Sequence, residues 1–363
     1  MKLTIRTEKL KDMVSRAVKG VGNNKLIPLT SLMAIEVKDN KLTLITTDAT
    51  NYLYIVEDKV VAEDFYAVVD AITFSKLVSK MTCENITLQI NGGVWVLEVL
   101  GNGNYKIELP LDEDGQPIKY PDPVSKLDMS VAQETTVNRS TVQVILNTIK
   151  PALAVTLENP CYTGYYMGDK VVATDTYKIA SMDISLFNEP KLVSPELLDL
   201  LVVMTSEKIN VHVFPQEIVY ETPDCIVYGR FMTGIEDYAI QAIGELVDTE
   251  FDSYCSVPKS ALVQLLDRLS LFVGPYDKNA IDLIFTNTGL QVSSKKASGV
   301  ELIQYIASDN FKDFTCSVDI QMLTQEIKAI SNDAIELYYG QDNAIKMVDG
   351  NITIIVALLE DDE

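Results

Sequence analysis

Apolar residues recur along this chain in two kinds of segment, and each kind occurs three times. In the first kind, two strand-like residues precede a helical stretch with apolar positions on one face. In the second kind, a helical stretch with an apolar face leads into a strand. Shared spacing in two families of three, in the same order, indicates an internal repeat. The first kind has the apolar stripes Leu10, Met13, Val14 and Ala17; Val142, Ile145, Leu146 and Ile149; and Leu262, Leu265, Leu266 and Leu269. The second kind covers residues 69–88, 192–211 and 318–337.

Between these segments the pattern changes to period two, which is typical of short strands joined by tight turns. Such hairpins are predicted around Asp39-Asn40, Gly168-Asp169 and residues 287–289. Each repeat is therefore read as a helix, several strands, a second helix and further strands.

The fold class predicted from this order is α+β, with three repeated domains of the usual domain size. Two linkers separate the repeats: a stretch rich in proline and acidic residues at 109–126 and a second joint at 243–253. The predicted domains are residues 1–125, 126–247 and 248–363 of the 363-residue chain.

Positive and negative charges are distributed unevenly between the predicted helices and the rest of the chain. The sequence has 52 acidic and 30 basic residues, a formal net charge of −22. The six predicted helical segments carry 11 Lys/Arg and 7 Asp/Glu, a net of +4, which leaves −26 for the remainder. Two interpretations stay open: ordinary solvated helix faces, or helices that converge on one basic surface that meets phosphates. The segments counted are 7–21, 73–82, 139–152, 195–205, 259–271 and 319–331.

Motifs for catalysis or metal binding are missing from the sequence. His212 is the only histidine and lies in an alternating strand-like run, and the five cysteines are widely spaced without a CxxC pair. No Walker loop, GxSxG or HExxH occurs. We therefore expect no enzymatic activity, no cofactor and no metal. Without an apolar signal or membrane-spanning stretch, we expect a soluble, cytoplasmic protein that does not bind membranes.

At this point the sequence resembles the bacterial DNA polymerase III β subunit, the β sliding clamp, over its whole length. The resemblance implies three clamp-type domains per chain and a homodimeric ring with helices lining the interior and sheets outside. It further implies a processivity factor without a catalytic site that encircles duplex DNA independently of sequence. Partners would be the replicative polymerase and the clamp loader, bound through short peptide motifs. The resemblance rests on MKLTI at the start, Pro28 in KLIPLTSL, LTLITTD at 42–48, VVATDTYKIA at 171–180, EDY at 236–238 and IIVALL near the end.

Two segments depart from the family pattern. After ATD the family usually has Gly-His-Arg-Leu, whereas this chain has Thr176, Tyr177, Lys178 and Ile179. The family's C-terminus is commonly a Met-Pro-Met-Arg-like stretch, whereas here residues 356–359 precede an acidic EDDE. Since both segments build the family's partner-peptide pocket, a diverged set of partners is expected.

The resemblance and the helix positions together give three sets of candidate residues. At position 24, where the family often has a DNA-contacting arginine, this chain has Asn24, so Lys25 is included in the first set. The predicted DNA-facing cations are Lys9, Lys11, Arg16, Lys19, Lys25, Lys76, Lys80, Arg139, Lys150, Lys259, Arg268 and Lys328. The partner-peptide pocket is predicted to use Tyr162, Thr174, Thr176, Tyr177, Lys178, Ile179, Asp319, Met322, Ile354, Val356 and Leu358. At the dimer interface, Tyr105 and Ile107 of one chain are predicted to meet Phe272 and Val273 of the other.

Two alternatives to these assignments stay open from the sequence. The chain could be a three-repeat scaffold or interaction protein that never contacts DNA. The predicted pocket residues could simply fill the joint between two domains. A hydrolase with an acidic site has no supporting constellation of residues.

Overall fold

The computed structural model describes residues 1–60, 62–90, 95–251, 253–295, 298–307, 311–341 and 343–360. The chain forms two compact units. The first unit comprises Met1–Val142 and Glu196–Phe231, and the second comprises Gln143–Pro195 and Met232–Glu363.

Short α-helices alternate with groups of strands along the chain. A π-helical turn, Ile145–Ile149, continues the third helix. The helices are α1 (Thr7–Ala17), α2 (Ala71–Ser79), α3 (Arg139–Val144), α4 (Pro195–Leu200), α5 (Ile240–Val247), α6 (Lys259–Leu269) and α7 (Ile320–Ala329).

The strands, in chain order, are β1 (Lys2–Arg6), β2 (Leu32–Lys38), β3 (Lys41–Thr47), β4 (Tyr52–Glu57), β5 (Phe65–Asp70), β6 (Asn85–Ile90), β7 (Val96–Leu100), β8 (Asn104–Glu108), β9 (Gln133–Asn138), β10 (Tyr165–Met167), β11 (Val171–Thr174), β12 (Lys178–Met182) and β13 (Lys191–Val193). They continue with β14 (Lys208–Val213), β15 (Glu217–Thr222), β16 (Cys225–Arg230), β17 (Ser253–Pro258), β18 (Ala280–Thr286), β19 (Gly289–Ser294), β20 (Val300–Ile303), β21 (Ile306–Ala307), β22 (Phe314–Asp319), β23 (Ala334–Tyr339), β24 (Ala344–Asp349) and β25 (Ile352–Ala357).

The first unit contains two antiparallel sheets. The smaller has the order β1-β6-β7-β8, and the larger has the order β5-β2-β3-β4-β16-β15-β14-β9. In the larger sheet, β4 pairs with β16, so strands that lie far apart in the sequence form one continuous surface. Helices α1 and α2 pack against each other in this unit.

The second unit repeats this plan. Its larger sheet has the order β13-β10-β11-β12-β25-β24-β23-β17-β21, and its smaller sheet has the order β20-β19-β18-β22. Here β12 pairs with β25 in the middle of the larger sheet, as β4 pairs with β16 in the first unit. Helices α6 and α7 pack against each other.

The α+β class and the repeated order are confirmed. Each segment of the first kind is a strand followed by a helix, namely β1-α1, β9-α3 and β17-α6. Each segment of the second kind is a strand, a helix and a strand, namely β5-α2-β6, β13-α4-β14 and β22-α7-β23. The apolar stripe of α1 is buried, and so is that of α6, because one helical face packs on a sheet.

The division into three domains stays a prediction. The two compact units divide the second predicted domain, 126–247, because β9 and β14–β16 belong to the larger sheet of the first unit. Its strands β10–β13 belong to the larger sheet of the second unit.

Candidate functional site

Arg16, one of the predicted DNA-facing cations, is held inside the first unit. Its side chain is 12% exposed, and Nη2 lies 2.8 Å from Asp224 Oδ2. Its Nε donates a hydrogen bond of 3.1 Å to the carbonyl oxygen of Val203. Burial alone would raise the pKa of Asp224, but the Arg16 guanidinium and hydrogen bonds from Thr222 and Thr205 outweigh it and lower that pKa. Arg16 is thus held by groups of the first unit, and its role as a DNA-facing cation stays a prediction.

Exposed lysines do lie on and beside α1 and α2. Lys19 is in the 3₁₀ turn that follows α1, and Lys25 is in the next loop. Lys76 is on α2, and Lys80 follows its last turn. All four side chains are exposed. Because α1 and α2 pack against each other, one helix pair carries the exposed ammonium groups that a phosphate backbone requires.

Other predicted cations of the first unit are less freely placed. Lys9 Nζ lies 2.5 Å from Glu57 Oε2, and Lys11 Nζ lies 3.7 Å from Glu8 Oε1. Arg139, at the start of α3, is half-buried. Exposed ion pairs of this kind contribute about 0–1 kcal/mol, so Lys9 can exchange its carboxylate for a phosphate at little cost.

In the second unit, the predicted cations are engaged by the unit's own groups. Lys259 Nζ donates hydrogen bonds to the carbonyl oxygens of Lys328 and Ile330. Lys328 Nζ in turn lies 3.0 Å from Asp267 Oδ1. Lys150, also in this unit, is half-buried.

Arg268 binds Glu301 through two nitrogens, with Nε 2.8 Å from Oε1. The hydrogen bonds from Arg268 lower the pKa of Glu301. In the predicted set, the exposed cations of the second unit therefore bind groups of their own unit more extensively than the exposed lysines on and beside α1 and α2 do.

The predicted partner-peptide residues on β12 and β25 lie on opposite faces of the larger sheet of the second unit. Ile179 of β12 pairs with Ile355 of β25, and directly paired residues of antiparallel strands point to the same face. Ile179 and Ile355 pack in one cluster with Val172 and the half-buried Tyr162. The helix α5 lies on this cluster through Ile243 and Val247.

Ile354 and Val356 point to the opposite face, because side chains alternate along a strand. The pairing of Lys178 with Val356 and of Ala180 with Ile354 places all four on that second face. Ile354 and Val356, both predicted pocket residues, therefore lie on the face opposite Ile179, whereas Ile355 shares the face of Ile179. A shift of one residue transfers every side chain of a strand to the other face.

Residues 174–178 form a tight turn at the start of β12. Thr174 Oγ1 donates a 2.7 Å hydrogen bond to the carbonyl oxygen of Lys178. Asp175 Oδ1 accepts from the backbone N–H groups of Tyr177 at 3.0 Å and Lys178 at 2.8 Å. Thr176 has φ +80°, a left-handed conformation that glycine adopts most easily and a β-branched residue adopts at a cost. The turn leaves Tyr177 61% exposed.

Lys178 was predicted to hold a peptide's polar end, but its ammonium group is buried and paired. Its Nζ lies 3.1 Å from Glu326 Oε1 of α7, and the two side chains are 5% and 0% exposed. It also donates to Gln325 Oε1 at 2.9 Å and to the carbonyl oxygen of Pro151. We therefore remove Lys178 from the pocket, because its donors are used within the second unit.

Three further predicted pocket residues lie near the start of α7 and the end of β25. Asp319 caps α7, accepting from the backbone N–H groups of Gln321 at 2.7 Å and Met322 at 3.1 Å. Met322 and Leu358 are both half-buried. The backbone N–H of Ala357, next to Leu358, donates to the carbonyl oxygen of Tyr177 at 2.8 Å. Leu358 therefore lies close to the exposed turn.

The predicted dimer residues lie near outer strands of the two smaller sheets. Tyr105 and Ile107 are on β8, the last strand of its sheet, and Tyr105 is 40% exposed. Phe272, 51% exposed, lies beside Gly299, which directly precedes the outer strand β20. Sequence reasoning missed the exposed Val300 and Leu302 on β20 itself. Outer strands with exposed apolar side chains are prone to pair with another chain.

Two features are absent from the described residues. Within the described ranges, no helix is long and apolar enough to span a membrane. No group of three or more His, Cys, Asp or Glu side chains there is arranged to hold a metal ion.

Residues 1–116 match the family model described as "DNA polymerase III beta subunit, N-terminal domain". Three solved structures illustrate the likeness of the whole fold. The DNA polymerase sliding clamp of Bacillus subtilis is 14% identical with a TM-score of 0.85, covering 100% of both chains. The Streptococcus pyogenes β subunit is 16% identical with a TM-score of 0.87, and the Thermotoga maritima β subunit is 18% identical with a TM-score of 0.82. Each covers 99% of this chain and 100% of the other.

The chain has the sliding-clamp fold. A comparison with curated protein sequences returns no significant match. The similarity of fold extends over the full length at low sequence identity.

Proposed function

We propose that this chain is a DNA sliding clamp, a processivity factor without a catalytic site of its own. It encircles duplex DNA as a homodimeric ring and tethers a polymerase and other partners. The observation that carries the proposal is the full-length clamp fold combined with exposed lysines on the α1–α2 helix pair. The alternative of a scaffold that does not bind DNA is not favoured by the comparisons. Because its proposed partner is DNA, its proposed compartment is the cytoplasm.

Ring closure is proposed through the outer strands of the smaller sheets. In a head-to-tail dimer, β8 of one chain pairs with β20 of the other. The two-fold symmetry of the ring gives two such interfaces. This arrangement covers Tyr105, Phe272, Val300 and Leu302, whose exposed fractions range from 40% to 57%. It also removes the free edges, which a soluble protein otherwise has to protect.

Partner binding is proposed at the turn 174–178 and the cluster beside it. The revised set is Tyr162, Thr174, Thr176, Tyr177, Ile179, Asp319, Met322, Ile355 and Leu358. An exposed tyrosine next to aliphatic side chains suits a short apolar peptide anchor. The proposed partners are a replicative polymerase and a clamp loader that carry such peptides.

We expect replacement of Lys19, Lys76 and Lys80 by alanine to weaken DNA binding and flatten its salt dependence. Each phosphate contact contributes about −0.9 to the slope of log affinity against log salt on duplex DNA. The measurement is the affinity for a short fluorescent duplex across a salt series. Arg16 is left out of this variant because its removal would leave the half-buried Asp224 without its cation.

The matched control replaces Lys38, Lys41 and Lys59 by alanine. These lysines are also exposed in the first unit, and their removal changes the net charge equally. The control should keep the slope of the unaltered protein. Equal slopes for the test variant and the unaltered protein would show that the α1–α2 face does not meet DNA.

A further inference from the structure

The first unit contains a second copy of the turn found at residues 174–178. Thr47 Oγ1 donates a 2.6 Å hydrogen bond to the carbonyl oxygen of Asn51. Asp48 Oδ1 accepts from the backbone N–H groups of Thr50 at 2.8 Å and Asn51 at 2.7 Å. Ala49 has φ +87°, as Thr176 has +80°. The two turns therefore share sequence spacing, hydrogen bonds and the left-handed third residue.

The strands after the two turns are also equivalent. In the second unit the turn leads into β12, where Ile179 faces Ile355 of β25. In the first unit it leads into β4, where Tyr52 faces Tyr228 of β16. The rings of Tyr52 and Tyr228 meet edge to face, with centroids 5.9 Å apart. Tyr52 and Tyr228 thus occupy the positions of the aliphatic pair in the proposed partner pocket.

A cleft of about 530 Å³ opens beside this tyrosine pair. One wall comes from the segment after β8, which is fixed on the sheet. Tyr120 Oη donates to the carbonyl oxygen of Leu32 at 2.8 Å, and Tyr54 Oη donates to Asp122 at 3.1 Å. The cleft is therefore preformed within the first unit. Its lining residues are Ala49, Thr50, Tyr52, Pro121, Pro123, Lys126, Leu127, Glu217, Tyr228 and Arg230.

The chemistry of the cleft combines apolar walls with a positive rim. Tyrosine and proline rings provide flat apolar surfaces of the kind that bind extended peptides, and Leu127 adds an aliphatic side chain. Arg230 and Lys126 are exposed, and Arg230 Nε donates to Tyr228 Oη at 3.3 Å, which fixes it at the cleft. With Glu217 as the single carboxylate among the lining residues, the cleft carries a net positive charge in a chain of −22.

We propose that this cleft binds a short extended peptide in which an acidic residue stands beside a large apolar side chain. The apolar side chain packs on Tyr52, Tyr228 and Leu127, and the carboxylate pairs with Arg230 and Lys126. Each chain then has two partner sites, this cleft and the proposed pocket of the second unit. Both are built from the same repeated turn and strand pair. This inference goes beyond the proposed clamp function, because it requires neither DNA nor ring closure.

The test uses photo-crosslinking with a biotinylated peptide, Asp-Leu-Asp-Leu followed by p-benzoylphenylalanine, at millimolar concentration on the full chain. Mass spectrometry maps the adducts. The expected adducts on the unaltered protein fall on β4, on residues 121–127 and on β16. In the variant Lys126→Glu with Arg230→Glu, their yield should fall about tenfold or more, because two charge-assisted contacts become repulsive.

A matched control carries Lys41→Glu and Lys59→Glu, which reverse two exposed charges of the same unit. Its adduct yield at the cleft should equal that of the unaltered protein. A further variant, Tyr177→Ala with Leu358→Ala, alters the partner pocket of the second unit and should leave the cleft adducts intact.

Absence of adducts at the cleft in the unaltered protein would overturn the inference, and so would adducts that the Lys126→Glu, Arg230→Glu variant leaves unchanged. Adducts confined to the neighbourhood of Ile179 and Tyr177 would overturn it while supporting the proposed partner pocket. Retention on circular DNA is measured separately, so failure of the clamp function is distinguishable from failure of this inference.

Discussion

Replacement of Lys178 by methionine is expected to destabilise the second unit by about 3–5 kcal/mol near pH 8. The reason is the buried pair: Lys178 Nζ lies 3.1 Å from Glu326 Oε1, and the glutamate side chain is 0% exposed. Removing the ammonium group leaves an ionised carboxylate without a counter-ion in an apolar environment. Asp175 Oδ2 also lies 3.8 Å from Lys178 Nζ. Without the ammonium group, the Asp175 and Glu326 carboxylates repel each other, which adds to the loss of stability.

This loss of stability should depend on pH. Burial raises the pKa of Glu326 from 4.5 to about 7, although Lys178 acts in the opposite direction. Between these values the folded chain binds a proton that the unfolded chain releases, so this group's contribution to stability falls as the pH rises through that window. In the methionine variant the carboxyl group is neutral at low pH and needs no counter-ion. The variant should therefore be less impaired near pH 5.5 than near pH 8.

Urea denaturation at the two pH values, combined with hydrogen exchange of amides in β12 and α7, measures the effect in the second unit. The double variant Lys178→Met with Glu326→Leu is the control, because replacing both charges of a buried pair by apolar groups is often neutral. An unchanged urea midpoint for the single variant near pH 8 would contradict this account, and so would a double variant as unstable as the single one.

Introduction of Tyr105→Asp together with Leu302→Asp is expected to weaken the dimer by about a hundredfold or more. In the proposed ring both residues become buried where β8 meets β20, and burial of unpaired carboxylates costs several kcal/mol. The measurement is the mass by light scattering or sedimentation over a concentration series. The unaltered chain should be a dimer at micromolar concentration.

The control for this prediction is Leu26→Asp with Val131→Asp. Both residues are exposed apolar side chains of the first unit, at 91% and 64%, and neither lies on an outer strand of a smaller sheet. The control should remain a dimer. A monomeric mass for the unaltered chain, or a dimer as tight in the test variant, would argue against closure through these strands.

The repeat and the helices could be predicted from the sequence because their apolar positions have a clear period. The stripe Leu10, Met13, Val14 and Ala17 is buried as expected. The register of β25 could not be predicted in this way. Ile352, Ile354, Ile355 and Val356 are all buried, so this strand is covered on both faces and shows no alternation from which a face could be read.

The ion pairs of Arg16 and Lys178 could not be predicted for a different reason. Arg16 is bound by Asp224 and Lys178 by Glu326, and both partners are far away in the sequence. A charge on a helix or at the start of a strand has the same local pattern whether it faces solvent or a buried carboxylate. The distinction requires the tertiary fold. The tyrosine-lined cleft was missed because its equivalence to the partner pocket depends on strand pairing between repeats.

Topological retention on DNA tests the sliding-clamp account most directly. The protein carries Cys83→Ser, Tyr105→Cys and Leu302→Cys, and the other native cysteines, Cys161, Cys225, Cys255 and Cys316, are buried. The protein is diluted and allowed to reassociate in the presence of circular plasmid. A flexible bismaleimide then links the introduced cysteines of β8 and β20 across each interface. Detergent removes protein that is bound only non-covalently. The account predicts that cross-linked protein stays with the circular plasmid and is released when one restriction cut linearises it. Equal recovery with circular and linear plasmid, or no recovery with either, would contradict it.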